Sequence, residues 1–154
     1  MAKIFEVIYM SELKNLGKIT DYKFEYAPNF LEAIENKNPG KNYFVKLTSE
    51  EFTCVCPITH QPDFAKIIIR YIPDKKLVES KSLKLYLTSF RNTGTFHEDA
   101  VNQIADDLIK FLNPKYLEVH GIFSVRGGIS INPFVNFGRD GFEDFAQKRL
   151  LNYE

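Results

Sequence analysis

The run FAKIIIRYI at Phe64–Ile72 constrains this chain more than any other segment. Consecutive β-branched residues lose side-chain freedom in a helix but pack well on a pleated sheet. The run is stopped by Pro73-Asp74, so the pattern predicts a buried strand. Upstream, Tyr43–Leu47 and Phe52–Cys56 read as parts of one strand region ended by Pro57, and the loop CPITHQPD joins it to Phe64–Ile72. Downstream the apolar period lengthens. Leu83, Tyr86 or Leu87, and Phe90 recur at helical spacing behind Ser80 as N-cap. Val101, Ile104, Ala105, Leu108 and Leu112 form the stripe of a second helix, which opens on a capping box at Thr95–Glu98 and closes at Asn113-Pro114. Two strands follow, Tyr116–Val125 and Ile129–Asn136, with Arg126-Gly127-Gly128 as the tight turn between them. Gly141–Glu154 reads as a short helix or tail. The order ββααββ calls for an antiparallel sheet with both helices on one face, an α+β domain.

A length of 154 residues suits one domain, 1–154. The turn-rich segment Asn36–Asn42 (NKNPGKN) marks off an N-terminal arm of about 40 residues. Twenty Lys and Arg balance 20 Asp and Glu, which argues against a direct nucleic-acid partner. No apolar run is long enough to cross a bilayer, and MAKIFEVIYMSELKNLG reads as mature protein because Glu6 interrupts its apolar stretch. Cys54 and Cys56 are too close for an unstrained disulfide. Both are expected to be thiols in a cytosolic protein.

Three places hold residues suited to chemistry. Cys56-Pro57 with Asp63 seven positions on can pair a thiolate nucleophile with a proton donor, or be a small buried hydrophobe and a turn residue. Cys54, Cys56 and His60, with His97 or His120, are also a conceivable zinc set, although C-x-C is an unusual ligand spacing. The segment Val78–Tyr86 (VESKSLKLY) opens a helix whose free N–H groups, Ser82, Lys81 and Lys84 can cradle a phosphate; a solvated lysine face fits the spacing equally well. His97-Glu98 begins the second helix. Its carboxylate can accept two N–H bonds from a guanine-like edge or merely complete the capping box, and its imidazole can bond a ring atom or shuttle a proton.

Taken together, FEYAPNFLE (Phe24–Glu32), YFVKL (Tyr43–Leu47), FTCVCPITHQPDFA (Phe52–Ala65), YIPDKKLVESKSLKLYL (Tyr71–Leu87), SFRNTGTFHED (Ser89–Asp99) and RGGISINP (Arg126–Pro133) resemble the NADPH-dependent 7-cyano-7-deazaguanine reductases of queuosine biosynthesis. The likeness spans about Tyr22 to Gly138, and ESKSLKLY separates these nitrile reductases from related GTP cyclohydrolases. The resemblance implies a tunnelling fold, with ββααββ units joined into rings that stack as a decamer of two pentamers, and sites between subunits. It implies that Cys56 attacks the nitrile carbon to give a thioimide and that Asp63 protonates the nitrogen. By the same likeness Val78, Glu79, Ser80, His97 and Glu98 bind the deazaguanine, while Lys81, Ser82 and Lys84 are linked to NADPH. Arg126 is a further cofactor candidate, on its charge and tight turn alone. No role is implied for Cys54 or His60, and no metal. Two rival readings remain: a zinc-using cyclohydrolase or pterin enzyme of the same fold, and a non-catalytic purine-binding oligomer.

Overall fold

The computed structural model describes residues 13–19 and 22–153. The reading of the first 17 residues as mature protein falls mostly outside them. The isoleucine-rich run lies in strand β3 (Pro62–Ile72), at the centre of the sheet. On one side β3 pairs antiparallel with β2 (Val45–Val55), and on the other with β5 (Tyr116–Phe123), which pairs in turn with β6 (Phe134–Gly138). The two halves of β2 anticipated from sequence are one strand, with a bulge between Ser49 and Phe52. A second, two-stranded sheet pairs β1 (Ala33–Glu35) with β4 (Lys76–Val78). The N-terminal arm is therefore tied into the fold, which the sequence pattern does not indicate. Three residues per strand are too few to display a period of two.

Helix α1 (Ser80–Thr88), followed by a 3-10 turn at Ser89–Asn92, and helix α2 (His97–Leu112) supply the apolar stripes that close the core. All five predicted stripe residues of α2 are buried, and Asn113 ends that helix in the left-handed conformation, φ 48°. Both helices pack on the sheet face that carries Phe52, Cys54, Ala65, Ile67 and Ile69. Gly121 permits the close approach of α2, since a Cβ there would lie 2.6 Å from Val101 Cγ2.

Three expectations are corrected. The N-cap of α1 is Glu79, not Ser80, because a carboxylate placed one residue earlier reaches two free amides. The capping box at Thr95–Glu98 does not form. Phe96 is the N-cap without a side-chain bond, and Thr95 Oγ1 donates to the Phe96 carbonyl instead. The turn at Arg126–Ile129 exists as a mutual backbone pair, but β6 begins only at Phe134, so β5 and β6 are joined by a ten-residue connection and not by a tight hairpin. The chain end, read from sequence as a short helix or tail, is a third helix, α3 (Glu143–Leu151), on the opposite face of the sheet from α1 and α2. There the buried Glu118 of β5 accepts from Arg149 of α3 (3.0 Å), Arg70 of β3 (2.7 Å) and the Tyr116 hydroxyl (2.7 Å). Burial opposes ionisation of Glu118, yet these hydrogen bonds outweigh it and hold its carboxyl below the usual range.

Candidate active site

Cys56 follows the last residue of β2 and opens the turn into β3. Its amide donates to the Gln61 carbonyl (2.9 Å), and its carbonyl accepts from the His60 amide (2.9 Å), closing a loop in which His60 is left-handed, φ 57°. That loop returns the chain so that Asp63 stands directly across the ladder from Cys54. The two thiols, alike in the sequence pattern, differ in surroundings. Cys54 is fully buried, and desolvation followed by the charge of Asp63 pushes its thiol up to about 12. Cys56 is half-buried, and hydrogen bonds from Thr59 and the Ile58 amide, with the nearby Arg126 charge, bring its thiol down to about 7. A thiol so placed is substantially thiolate at neutral pH, the state required of a nucleophile.

Asp63 is 3% exposed, and both of its oxygens are engaged. Oδ1 accepts from Arg126 at 2.5 Å, and His97 Nε2 lies 3.2 Å from Oδ2. The other amino group of Arg126 donates to Gln61 Oε1 at 2.7 Å. His97 stacks on Phe123 with ring centroids 3.9 Å apart, and its Nδ1 is buried without a hydrogen-bond partner among the described residues. A buried ring nitrogen left open in this way is suited to a ligand that brings its own donor or acceptor. His97 reaches the site because residues 93–95 lie against the end of β2. The Val55 amide donates to the Thr93 carbonyl, the Thr95 amide donates to the Val55 carbonyl, and a Cβ on Gly94 would meet Pro57 Cα at 3.3 Å. Glu98, next along α2, is exposed.

The structure thus brings Cys56, Asp63, His97 and Arg126 together. Arg126, expected only as a cofactor candidate, is the ion-pair partner of Asp63. The remaining candidates lie elsewhere. Val78 is buried, and its amide donates to the Tyr71 hydroxyl. The Glu79 carboxylate caps α1 by accepting from the Lys81 and Ser82 amides. Ser82 is fully buried, its hydroxyl committed to the Glu79 and Glu32 carbonyls. Lys81 donates to the carbonyls of Asn15 and Lys18. Ser80 and Lys84 alone among these residues face outward, into an 820 Å³ groove between α1 and the β2 edge that Cys56 and Asp63 do not line. Two cations stand over aromatic faces there, Lys84 over Tyr22 (5.7 Å) and Arg91 over Phe24 (5.5 Å). Glu50 and Glu51 also border the groove, with Glu50 paired to Lys66 at 3.3 Å. Among the described residues, no three His, Cys, Asp or Glu side chains converge as a zinc site requires.

Three of the supporting residues carry no signal of their own in the sequence pattern. Thr59 and Gln61 are ordinary turn residues until the loop closes, and Phe123 looks like any core aromatic until His97 lies on it.

Comparison with known proteins places the chain in a family. The family model described as QueF-like protein matches residues 62–141. A protein of Bacteroides thetaiotaomicron named NADPH-dependent 7-cyano-7-deazaguanine reductase is 61% identical over 151 residues, covering 94% of this chain and all of that one. Proteins of the same name from Parabacteroides distasonis and Neisseria gonorrhoeae are 60% and 58% identical, the first covering 92% of both chains and the second 88% of this chain and 87% of that one. Among solved structures, the apo crystal structure of the archaeosine synthase QueF-Like shares the fold, with TM-score 0.58 and 23% identity over 63% of this chain and 95% of that one. By full-length identity as well as by family model, the chain belongs to the QueF-like family of NADPH-dependent 7-cyano-7-deazaguanine reductases.

Proposed function

We propose that this chain reduces the nitrile of 7-cyano-7-deazaguanine to the aminomethyl group, with NADPH as reductant, in the queuosine branch of tRNA modification. The observation that carries the reading is the low-pKa Cys56 thiol at the same hairpin end as the buried Asp63, in a chain 61% identical to a protein named for that reaction. A nitrile accepts hydride poorly because charge accumulates on nitrogen. Addition of the Cys56 thiolate to the carbon, with a proton from Asp63 to the nitrogen, gives a thioimide, a better electrophile. When bound, NADPH would supply the two hydrides needed, one for the thioimide and one for the imine released when the Cys56 thiolate leaves.

The residues present fit such a cofactor. Lys84 and Arg91 border the groove with no acidic partner for either among the described residues, and cations so placed suit the phosphates of a dinucleotide. Lys81 and Ser82 contribute by anchoring α1 and not through a free head group. Glu98, exposed beside His97, is free to accept the purine edge, while Ser80 at the groove mouth, with Val78 and Glu79 behind it, lines the substrate pocket.

The groove and the Cys56 cluster are separate on one chain. This supports single-domain subunits assembled as a ring, each site shared between neighbours. Strands β2 and β6 each have one unpaired edge among the described residues, as a continuing sheet needs. A decamer of two pentamers is the assembly we propose, checked by light scattering. We place the enzyme in the cytoplasm, where its two free thiols remain reduced.

The test is an absorbance assay of NADPH oxidation with the nitrile, together with intact-protein mass spectrometry. Two NADPH consumed per amine and a substrate-mass adduct abolished in Cys56→Ala are expected. Wild-type turnover by Cys56→Ala would overturn the covalent mechanism, and no NADPH oxidation by the wild type would overturn the reductase reading itself. Cys54→Ala is expected to turn over normally.

A further inference from the structure

Two side chains of opposite charge hold one short turn of the N-terminal arm against the start of α1. The Glu32 carboxylate accepts from the amides of Lys14 (2.8 Å) and Asn15 (3.4 Å). The Lys81 ammonium donates to the carbonyls of Asn15 (2.5 Å) and Lys18. The turn also closes on itself, the Lys18 amide donating to the Asn15 carbonyl at 3.3 Å, with Gly17 left-handed at φ 71°. Its leading residue, Leu13, is buried. Both holding residues are fixed to α1. Lys81 stands in its first turn, while the Glu32 carbonyl accepts from the Glu79 amide (2.9 Å) and the Glu32 amide donates to Ser82 Oγ (2.9 Å). Only two residues separate Ile19 from Tyr22, so a fixed turn confines Tyr22 to about 11 Å from Ile19. Tyr22 lines the groove between α1 and the β2 edge and offers its ring face to Lys84. Lys81 does not line that groove.

We propose that Lys81 is a positioning residue, one half of a clamp with Glu32 that seats the 13–19 turn and so sets the Tyr22 wall of the cofactor groove, without touching the cofactor. This rests on the nitrile reductase reading above, which assigns the groove to NADPH. An ammonium has three protons to donate, and two of those of Lys81 are committed to carbonyls of the turn. Turning the head group to a phosphate would give up both bonds and release the turn. Apparent cofactor affinity then scales with the fraction of chains in which the turn is seated. The opposite charges of the two holding residues make the test one of sign. For a lysine bonded to phosphate, removing the cation weakens NADPH, and removing the nearby Glu32 anion leaves affinity unchanged or strengthens it. For a clamp, both removals weaken it.

The experiment measures NADPH affinity of the full-length protein by titration calorimetry, with steady-state rates and hydrogen exchange on the same variants. Lys81→Met and Glu32→Ala are each expected to weaken NADPH by about three- to tenfold, as when the seated fraction falls to roughly a third to a tenth. The kinetic loss should fall in KM for NADPH, with kcat at saturating cofactor little changed. Exchange over residues 13–19 should speed up in both variants. Glu32→Gln loses the charge but keeps one acceptor, so its affinity should lie between Glu32→Ala and wild type. Weaker binding in Lys81→Met with equal or tighter binding in Glu32→Ala overturns the clamp in favour of a direct phosphate contact. Faster exchange over 13–19 with NADPH affinity unchanged in both overturns the link from turn to groove. If Lys81→Met does not fold, the Glu32 pair decides, and equal affinity in Glu32→Ala, Glu32→Gln and wild type overturns the role. Wild type that binds and oxidises no NADPH overturns the reductase reading and this role with it, while hydrogen exchange still reads the clamp itself.

Discussion

Asp63→Asn separates chemistry from architecture at the centre of the site. The substitution keeps shape and burial but replaces one oxygen by an NH2 group. The wild-type carboxylate, 3% exposed, accepts from Arg126 at 2.5 Å and faces His97 Nε2 at 3.2 Å. An amide offers one acceptor and one donor, so one of the two partners would face a donor. Leaving a buried polar group unsatisfied costs about 1–3 kcal/mol. Arg126 is 35% exposed and can recover hydration, so the low end applies, about 1–2 kcal/mol. At roughly 2–4 °C per kcal/mol for a chain of this size, Tm falls by about 2–8 °C. Losing the proton donor costs turnover about 10²–10⁴-fold, equivalent to about 3–5 kcal/mol of barrier. The kinetic loss therefore exceeds the stability loss. It is measured by NADPH oxidation well below the melting temperature, with a thermal melt on the same preparation. Turnover within a few-fold of wild type across neutral pH, with the same drop in Tm, would show that Asp63 only anchors Arg126 and His97.

Glu98→Ala is expected to weaken nitrile binding by about 1–3 kcal/mol, measured by titration calorimetry on a Cys56→Ala background. Because Glu98 makes no capping bond, the melting temperature without ligand should change by no more than the loss of one exposed charge beside a helix N-terminus, about 0.3–1 kcal/mol. Gly121→Ala places a methyl 2.6 Å from Val101 and 3.0 Å from Phe123, the ring that supports His97. It should destabilise by about 1–3 kcal/mol in chemical denaturation and also lower turnover, whereas unchanged turnover would detach Phe123 from the site. Glu118→Leu leaves Arg70 and Arg149 without their shared acceptor and should cost about 3 kcal/mol, loosening α3 as read by hydrogen exchange. Since the folded Glu118 carboxyl lies below its ordinary 4.5, its stabilisation is present above that value and lost as pH falls through the lower folded one. The variant's stability should lack that acid-side slope.

Much of the core is legible in the sequence alone. The isoleucine run of β3, the α2 stripe and the Asn113-Pro114 stop are local signals, because burial on one face imposes a period on the residues that carry it. The candidate chemical groups are named from the sequence through the family resemblance and not through spacing, and the fold brings four of them, Cys56, Asp63, His97 and Arg126, to one place. Short strands β1 and β4, the late start of β6 and the docking of α3 are not legible. Each depends on a partner distant in sequence: β1 on β4, Glu118 on Arg149. The cap of α1 goes to Glu79 because a carboxylate two or three residues before two free amides outcompetes a neighbouring hydroxyl, a comparison the one-dimensional pattern leaves open. The two cysteines make the same point within the site. By sequence they are equivalent members of C-x-C. Only the tertiary structure buries Cys54 beside Asp63 and leaves Cys56 in a turn rich in N–H donors near Arg126. Their thiols separate to about 12 and about 7 because one is desolvated against a negative charge while the other is hydrogen-bonded near a positive one.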